Sequence, residues 1–428
     1  MKRHILLLIP CFCILLACTS RQPAATDTTD AGPLTAAHCE QAIRSFSEAI
    51  QKKDTALLAQ SASPNFGIAI ASWPSAYNYL QPAWSHAAID SIVPAVDSIA
   101  VTPGSFKQKT SAWVYANGKE PVKTTVAFDG RDGKILYVDY FDNLFGYYRN
   151  QPSRLKAVLP IEEIGEDGAI VVSVKLNDYG KTFRFLFDTG ADGMAISSVL
   201  AEEAGLKASR SQQTSVVGGN MQINISQNNT VWLDTLPLHN QNIAIFDNVR
   251  HGVDGIIGLN LAGHHIVQVQ FDEKKIYLYS FGHHTYPAGG EIETITVPRG
   301  VIMIPGYLNL TGEKTVNGRF VFDTGANYHF MGFSPFVRDN RLLLSGFKPE
   351  KESATVSLGM TTPVFEGKTK EFGFGEKIRQ TDMPVSLQAS MGNSDWRPQA
   401  DASVGIKLLS QYNFTINLLE KELHFLPR

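Results

Sequence analysis

The sequence predicts a multi-domain chain: a small α+β domain followed by an all-β body of two lobes. Three observations carry this reading. An amphipathic run near the amino end leads into segments rich in β-branched and aromatic residues. Beyond about residue 155 the texture changes to short strands and frequent glycines, with few helical runs. Within that second part, two stretches repeat each other with their features in the same order.

Size and composition allow such a chain. It has 428 residues, 43% hydrophobic and 18% charged, enough for more than one core. The net charge of −3 provides no basic field for nucleic acid, so that partner class is set aside.

The first residues are not part of the fold. Lys2 and Arg3 precede an apolar stretch from Ile5 to Leu16, too short to cross a bilayer as a helix. It closes on "LLAC", which resembles the lipobox of bacterial lipoproteins. The resemblance implies a signal peptide over 1–17, cleavage before Cys18 and acyl chains on Cys18. More than one chain is what stable anchoring needs. It also implies a cell-envelope location, lipid-anchored, with the outer membrane the expected one. Cys11 and Cys13 would leave with the signal, so Cys39 stands alone and no intramolecular disulfide can form. Residues 18–36 are small, polar and Pro-containing, the composition of a disordered tether.

The α+β domain is expected over 37–148. From His38 to about Gln60, Ile43, Phe46, Ile50, Leu57 and Leu58 recur at helical spacing. "SAWVYA" (111–116), "KTTVAFDG" (123–130) and "KILYVDYF" (134–141) read as strands, with a turn at "DGRDG". A long helix before a curved antiparallel sheet looks like the NTF2-like cone fold. Trp73, Tyr77, Tyr79 and Trp84 could line a pocket, although aromatic residues more often fill a core. "YYRNQPSR" (147–154) reads as the link to the next domain.

The repeat gives the second part its two lobes, expected over 155–287 and 288–428. "FLFDTGA" ends an apolar run on Asp188, and "FVFDTGA" ends another on Asp323. Further on, "DGIIGLNLAGHHIVQVQFDEKKIYLY" (254–279) aligns without a gap on "DASVGIKLLSQYNFTINLLEKELHFL" (401–426), Gly258 falling on Gly405. Between these landmarks each copy has a helix start, at Ser197-Ser198 and at Ser334-Pro335. Each also has a glycine-tipped hairpin, "TSVVGGNMQ" facing "ATVSLGMTT".

An aspartate that ends a buried strand is costly if ionised alone. Two of them brought together by approximate two-fold symmetry can share one proton, because like charges in contact cannot easily both ionise. One carboxylate can then act as general base on a water held between them, while the protonated partner donates to a carbonyl oxygen. Thr189 and Thr324 carry hydroxyls able to tie the two loops together. Gly190 and Gly325 let the backbone turn beneath the carboxylates without a Cβ.

Residues 155–428 thus resemble the aspartic proteases of the retropepsin/pepsin clan, on "FLFDTGA", "FVFDTGA", "VVGG" and "DGIIGLN". The resemblance implies an all-β bilobal acid-protease fold and hydrolysis of peptide bonds in a peptide or protein substrate. The dyad would be Asp188 with Asp323 within one chain, with no cofactor, metal or covalent intermediate. Gly218 and Gly219 would be flap residues, touching an extended substrate through their backbone. Three departures stand out. Ala191 and Ala326 follow D-T-G where pepsins usually have Ser or Thr, which removes a hydrogen bond to each carboxylate. This implies a pH optimum less acidic than pepsin's. "ASVGIK" matches the second apolar-apolar-Gly strand more weakly than "GIIGLN" matches the first. No tyrosine corresponds to the pepsin flap tyrosine.

Other features are weaker. His264-His265 and His283-His284 lack carboxylate or Cys partners at ligand spacing, so metal is not expected. "SRLK" stands without the motifs that would make S-x-x-K catalytic. The competing class is a non-catalytic envelope binding lipoprotein that keeps the protease fold and grips a peptide or ligand without cutting it.

Overall fold

The structure is a computed structural model that describes residues 33–101, 106–164, 168–216, 219–247, 249, 252–357, 360–375, 377–389 and 398–428. Cys18 and the segment around it lie outside the described residues, as does Gly218.

The amino-terminal part begins with α1 (Ala36–Lys52), whose Cys39, Ile43, Phe46 and Ile50 form one buried stripe. Thr35 caps it by accepting from the His38 N–H. The sequence predicts one helical run to about Gln60, but the helix stops at Lys53, which takes the left-handed conformation. Asp54 then caps a second helix, α2 (Thr55–Ser61), accepting from the Ala56 and Leu57 N–H groups. A strong N-cap residue in mid-run is the physical reason for the break. A small ladder of β1 (Gly67–Ile68) with β2 (Ala71–Ser72) leads to α3 (Tyr77–His86). Four antiparallel strands follow in order: β3 (Ile89–Val101), β4 (Lys107–Ala116), β5 (Val122–Asp129) and β6 (Ile135–Val138). The last is shorter than its sequence suggests, because Tyr140 and Phe141 belong to α4 (Asp139–Leu144).

The rest of the chain is mostly β. Its first copy runs through β7 (Leu155–Pro160), β8 (Glu163–Ile164), β9 (Ile170–Leu176), β10 (Phe183–Phe187), β11 (Met194–Ser197), α5 (Ser198–Glu203), β12 (Arg210–Val216), β13 (Gly219–Leu233), β14 (Leu236–Phe246), β15 (Gly255–Ile257), α6 (Asn260–His264), β16 (Ile266–Gln270) and β17 (Lys275–Tyr279). The second copy runs through β18 (Glu291–Thr294), β19 (Met303–Asn309), β20 (Thr315–Asp323), β21 (Phe330–Gly332), α7 (Ser334–Asp339), β22 (Lys351–Ser357), β23 (Met360–Phe374), β24 (Ile378–Gln388), β25 (Ala402–Gly405), α8 (Ile406–Leu409), β26 (Tyr412–Asn417) and β27 (Glu422–Pro427).

The two copies build the same sheet. In the first the order is β12-β13-β14-β11-β15-β10-β9-β8, and in the second β22-β23-β24-β21-β25-β20-β19, which matches the first seven strands. In both, the sheet doubles back so that its long hairpin strand also pairs with the far end, β13 with β9 and β23 with β19. The helix starts differ slightly. Ser197 caps α5 through its hydroxyl, whereas Ser334 is already helical and its N–H is met by Gln388 Oε1 at 3.2 Å.

A third sheet joins the copies, in the order β18-β27-β26-β16-β17-β7. Its centre is the antiparallel pair β16–β26, with Gln268 opposite Thr415. Beneath it, Phe414 packs edge-on against Phe322 at 5.1 Å and Phe271 at 6.0 Å, linking residues of both copies in one apolar cluster.

Candidate active site

β10 and β20 are central strands, and their apolar residues explain where the chain must emerge. Phe185, Phe187, Phe320 and Phe322 are fully buried. Each strand runs parallel to a short apolar neighbour: Phe187 opposite Ile257 in β15, and Phe322 opposite Val404 in β25. Asp188 and Asp323 come next, where each chain leaves its sheet. They are half-buried, open enough to meet a ligand and shielded enough to feel each other.

The two loops are joined by a reciprocal set of four hydrogen bonds. The Thr189 hydroxyl donates to Phe322 O at 2.7 Å, and the Thr324 hydroxyl donates to Phe187 O at 2.7 Å. Each hydroxyl also accepts the other loop's N–H at 3.0 Å, Thr324 N to Thr189 Oγ1 and Thr189 N to Thr324 Oγ1. Both threonines are fully buried, so each hydroxyl uses its donor and an acceptor lone pair on the opposite loop. This is the local two-fold symmetry of the repeat at atomic scale.

Glycine is required beneath the carboxylates because the loops cross so closely. A Cβ on Gly190 would lie 2.5 Å from Asp323 Cγ, and one on Gly325 would lie 2.1 Å from Asp188 Cγ. The Gly190 N–H donates to Asp188 Oδ1 at 2.9 Å and the Gly325 N–H to Asp323 Oδ1 at 3.1 Å. Gly258 and Gly405 meet a similar constraint one layer out. A Cβ there would lie 2.3 Å from Gly193 O or from Tyr328 O, because the chain after each D-T-G-A threads over the glycine. The hydrogen bonds match too: Leu259 N to Ala191 O, and Ile406 N to Ala326 O, both 2.8 Å. The weaker-looking "ASVGIK" therefore has the same geometry as "GIIGLN".

The carboxylates interact directly. Burial, then the charge of Asp188 and a hydrogen bond with it, push the Asp323 carboxyl well above its ordinary value. Hydrogen bonds from Ser403 and Gly325 oppose that rise. The sequence led us to expect that Ala191 and Ala326 leave each carboxylate one bond short. For Asp323 the expectation is corrected: Ser403 Oγ donates to Asp323 Oδ2 at 3.1 Å from the neighbouring strand β25. Tyr328, itself hydrogen-bonded to Ser403, has its phenol pushed well above the usual range by burial and by Asp323. Ser403 and Tyr328 were missed in the sequence. The available signal was a serine in an otherwise apolar strand, where the first copy has Ile256.

Of the expected flap residues, Gly219 opens β13 opposite Val216, at the end of the hairpin β12–β13. The second copy has the matching hairpin β22–β23. The histidine pairs are engaged in packing. His284 lies between the rings of Tyr279 and Tyr286, and His264 meets the Gln241 amide. Burial lowers His265 and His284 to about 4. Among the described residues no group of three or more His, Cys, Asp or Glu is arranged to hold a metal ion. Cys39 is buried on α1, and burial raises its thiol. Trp73, Tyr77 and Trp84 pack edge to edge at 6.3 and 6.0 Å, and Trp73 also meets Phe66 at 6.5 Å.

Comparison with known families adds one finding. Residues 172–261 match the family model described as aspartyl protease, a span that holds Asp188, Thr189, Gly190 and Gly258. No curated protein matches the chain.

Proposed function

We propose that the chain is an aspartic endopeptidase of the bacterial cell envelope, anchored by lipid on Cys18. The observation that carries the catalytic part is the exchange of four hydrogen bonds between Thr189 and Thr324, which holds Asp188 and Asp323 as one unit. The family match over the first copy supports the same reaction class.

The chemistry follows from the shared proton. With one proton on the pair, the ionised carboxylate takes a proton from a water held between the two aspartates. That water attacks the peptide carbonyl, whose oxygen accepts the proton of the other carboxyl. The resulting gem-diol collapses with proton transfer to the leaving amine, and the pair returns to one proton. Bonds broken and formed balance without metal or acyl-enzyme. The substrate lies extended between the copies, its main chain paired with the hairpins that end near Gly219 and near Met360. The amino-terminal domain is NTF2-like in this reading, and the outer membrane carries the anchor.

The test is digestion of an unbiased peptide library by the full chain between pH 3 and pH 8, read by mass spectrometry. Cleavage that is lost in Asp188→Asn supports the proposal. Retention of bound peptides with no cleavage at any pH identifies a non-catalytic binding lipoprotein instead. An activity optimum at about pH 2 contradicts the expected shift away from strongly acidic conditions.

A further inference from the structure

We propose that the amino-terminal domain takes part in substrate selection: it fixes the loop 297–302 beside the catalytic loops, and Arg299 at the tip of that loop reads an acidic side chain of the bound peptide. The inference deepens the protease reading and rests on it for the place of the substrate.

The loop joins β18 to β19 and is closed at its base. The Thr296 N–H donates to Met303 O at 3.0 Å, and the Met303 N–H to Thr296 O at 2.8 Å. One side of the loop hangs from the amino-terminal domain. Ser72, fully buried at the end of β2, donates its N–H to Val297 O and accepts the Val297 N–H on Oγ, both at 2.9 Å. The Ser75 N–H donates to Pro298 O at 3.2 Å. The other side meets both catalytic loops. The Phe322 N–H, one residue before Asp323, donates to Ile302 O at 3.1 Å. Val301 packs on the cluster of Met303, Val321 and Met331, which Tyr328 also joins. Gly300 crosses the first loop so closely that a Cβ on it would lie 2.7 Å from Asp192 Cβ, and its φ of +83° is in the left-handed region. Asp192 follows Asp188 by four residues, which places it within about 14 Å even along a fully extended chain.

Arg299 thus stands between two fixed neighbours: Pro298, held by Ser75, and Gly300, wedged against Asp192. Pro298 is buried whereas Arg299 is exposed, and among the described residues neither Arg299 nor Asp192 forms an ion pair. The guanidinium is therefore available to a ligand. Its planar fork matches a carboxylate, and a backbone fixed on both sides leaves less to be ordered when one binds. Main-chain pairing with the hairpins accepts any extended peptide. A charge at the rim of the cleft adds a choice among sequences. Ser72 acts on that choice through the loop, as a positioning residue.

The experiment digests random peptides with the full chain, with Arg299→Glu and with Ser72→Ala, and reads the cleaved sites by mass spectrometry. The parent is expected to favour Asp or Glu over Asn or Gln at one fixed distance from the cleaved bond, by about fivefold, the scale of one exposed ion pair. In Arg299→Glu the same position should favour Lys or Arg, with kcat unchanged on a peptide that is neutral there. Ser72→Ala strands the Val297 N–H and should raise KM for the acidic peptide more than for its neutral twin. A merely structural role would move both peptides alike, and that result overturns the part given to the amino-terminal domain. Cleavage by the parent without an acidic preference, or a preference that survives in Arg299→Glu, overturns the inference and leaves the protease reading standing. If the parent cleaves nothing, the protease reading fails, and the acidic and neutral peptides are titrated against the full chain by fluorescence anisotropy. Tighter binding of the acidic peptide, reversed in Arg299→Glu, then supports the inference, and equal binding overturns it.

Discussion

Thr189 and Thr324 are not interchangeable with small apolar residues. Thr189→Ala would strand two buried groups, the Phe322 carbonyl and the Thr324 N–H. The expected loss is about 2–6 kcal/mol, since each of the two buried groups left unpaired costs about 1–3 kcal/mol. Thr189→Ser keeps both bonds and should restore most of the stability, as a urea titration would show. At Asp323 the sign of the pH effect can be worked out. Burial and Asp188 raise its folded value above the unfolded one. The folded state therefore holds the proton more tightly. That stabilisation is complete below the unfolded value and is lost as pH rises through the folded one. Asp323→Asn removes the titration. Its Tm relative to the parent should rise steadily between pH 4 and pH 8, and a constant offset would show that neither burial nor Asp188 raises the carboxyl.

The elements show why much of this was legible in the sequence and some was not. Each D-T-G-A follows a buried aromatic strand, and each apolar-Gly strand threads a turn, so the same residues recur for the same steric reason. Contacts that depend on distant pairing left weaker traces. Ser403 looked like a flaw in a motif, because its partner lies on another strand. The break at Lys53 depends on Asp54 capping the next helix, a local signal overridden in the reading by apolar spacing. At the seam between the copies, Phe414 meets Phe271 and Phe322. Phe414→Ala is expected to cost about 3–5 kcal/mol through the cavity left behind. It should also lower activity, because Phe322 carries the carbonyl that Thr189 holds. A variant that is destabilised yet fully active would separate the seam from the site.

At the scale of the whole molecule, the segment read as a link is mostly exposed but sends one residue, Arg149, into a buried junction. Arg149 is 5% exposed and lies within ion-pair distance of Asp139, Asp142 and Glu420, with its guanidinium 3.6 Å from the Tyr137 ring centroid. Lys107 pairs with Glu420 and Glu422, and Lys421 donates to Ala69 O. Ser72 and Val297 exchange two further bonds, Ser72 N to Val297 O and Val297 N to Ser72 Oγ. The amino-terminal sheet is thereby clamped to the β26–β27 turn of the sheet that joins the copies. Arg149→Ala leaves buried carboxylates without their partner and should cost about 3–5 kcal/mol. The parent should melt in one transition, and two well-separated transitions in calorimetry would show the clamp to be weak. The claim on which the rest depends is that Asp188 and Asp323 work as one acid–base unit. Its most direct test is kcat/KM of the full chain on a single cleaved peptide, compared with Asp188→Asn and Asp323→Asn. Each substitution alone is predicted to lower it by at least about 10³-fold, since both members of a proton-sharing pair are needed. Either variant retaining parental activity would contradict the account.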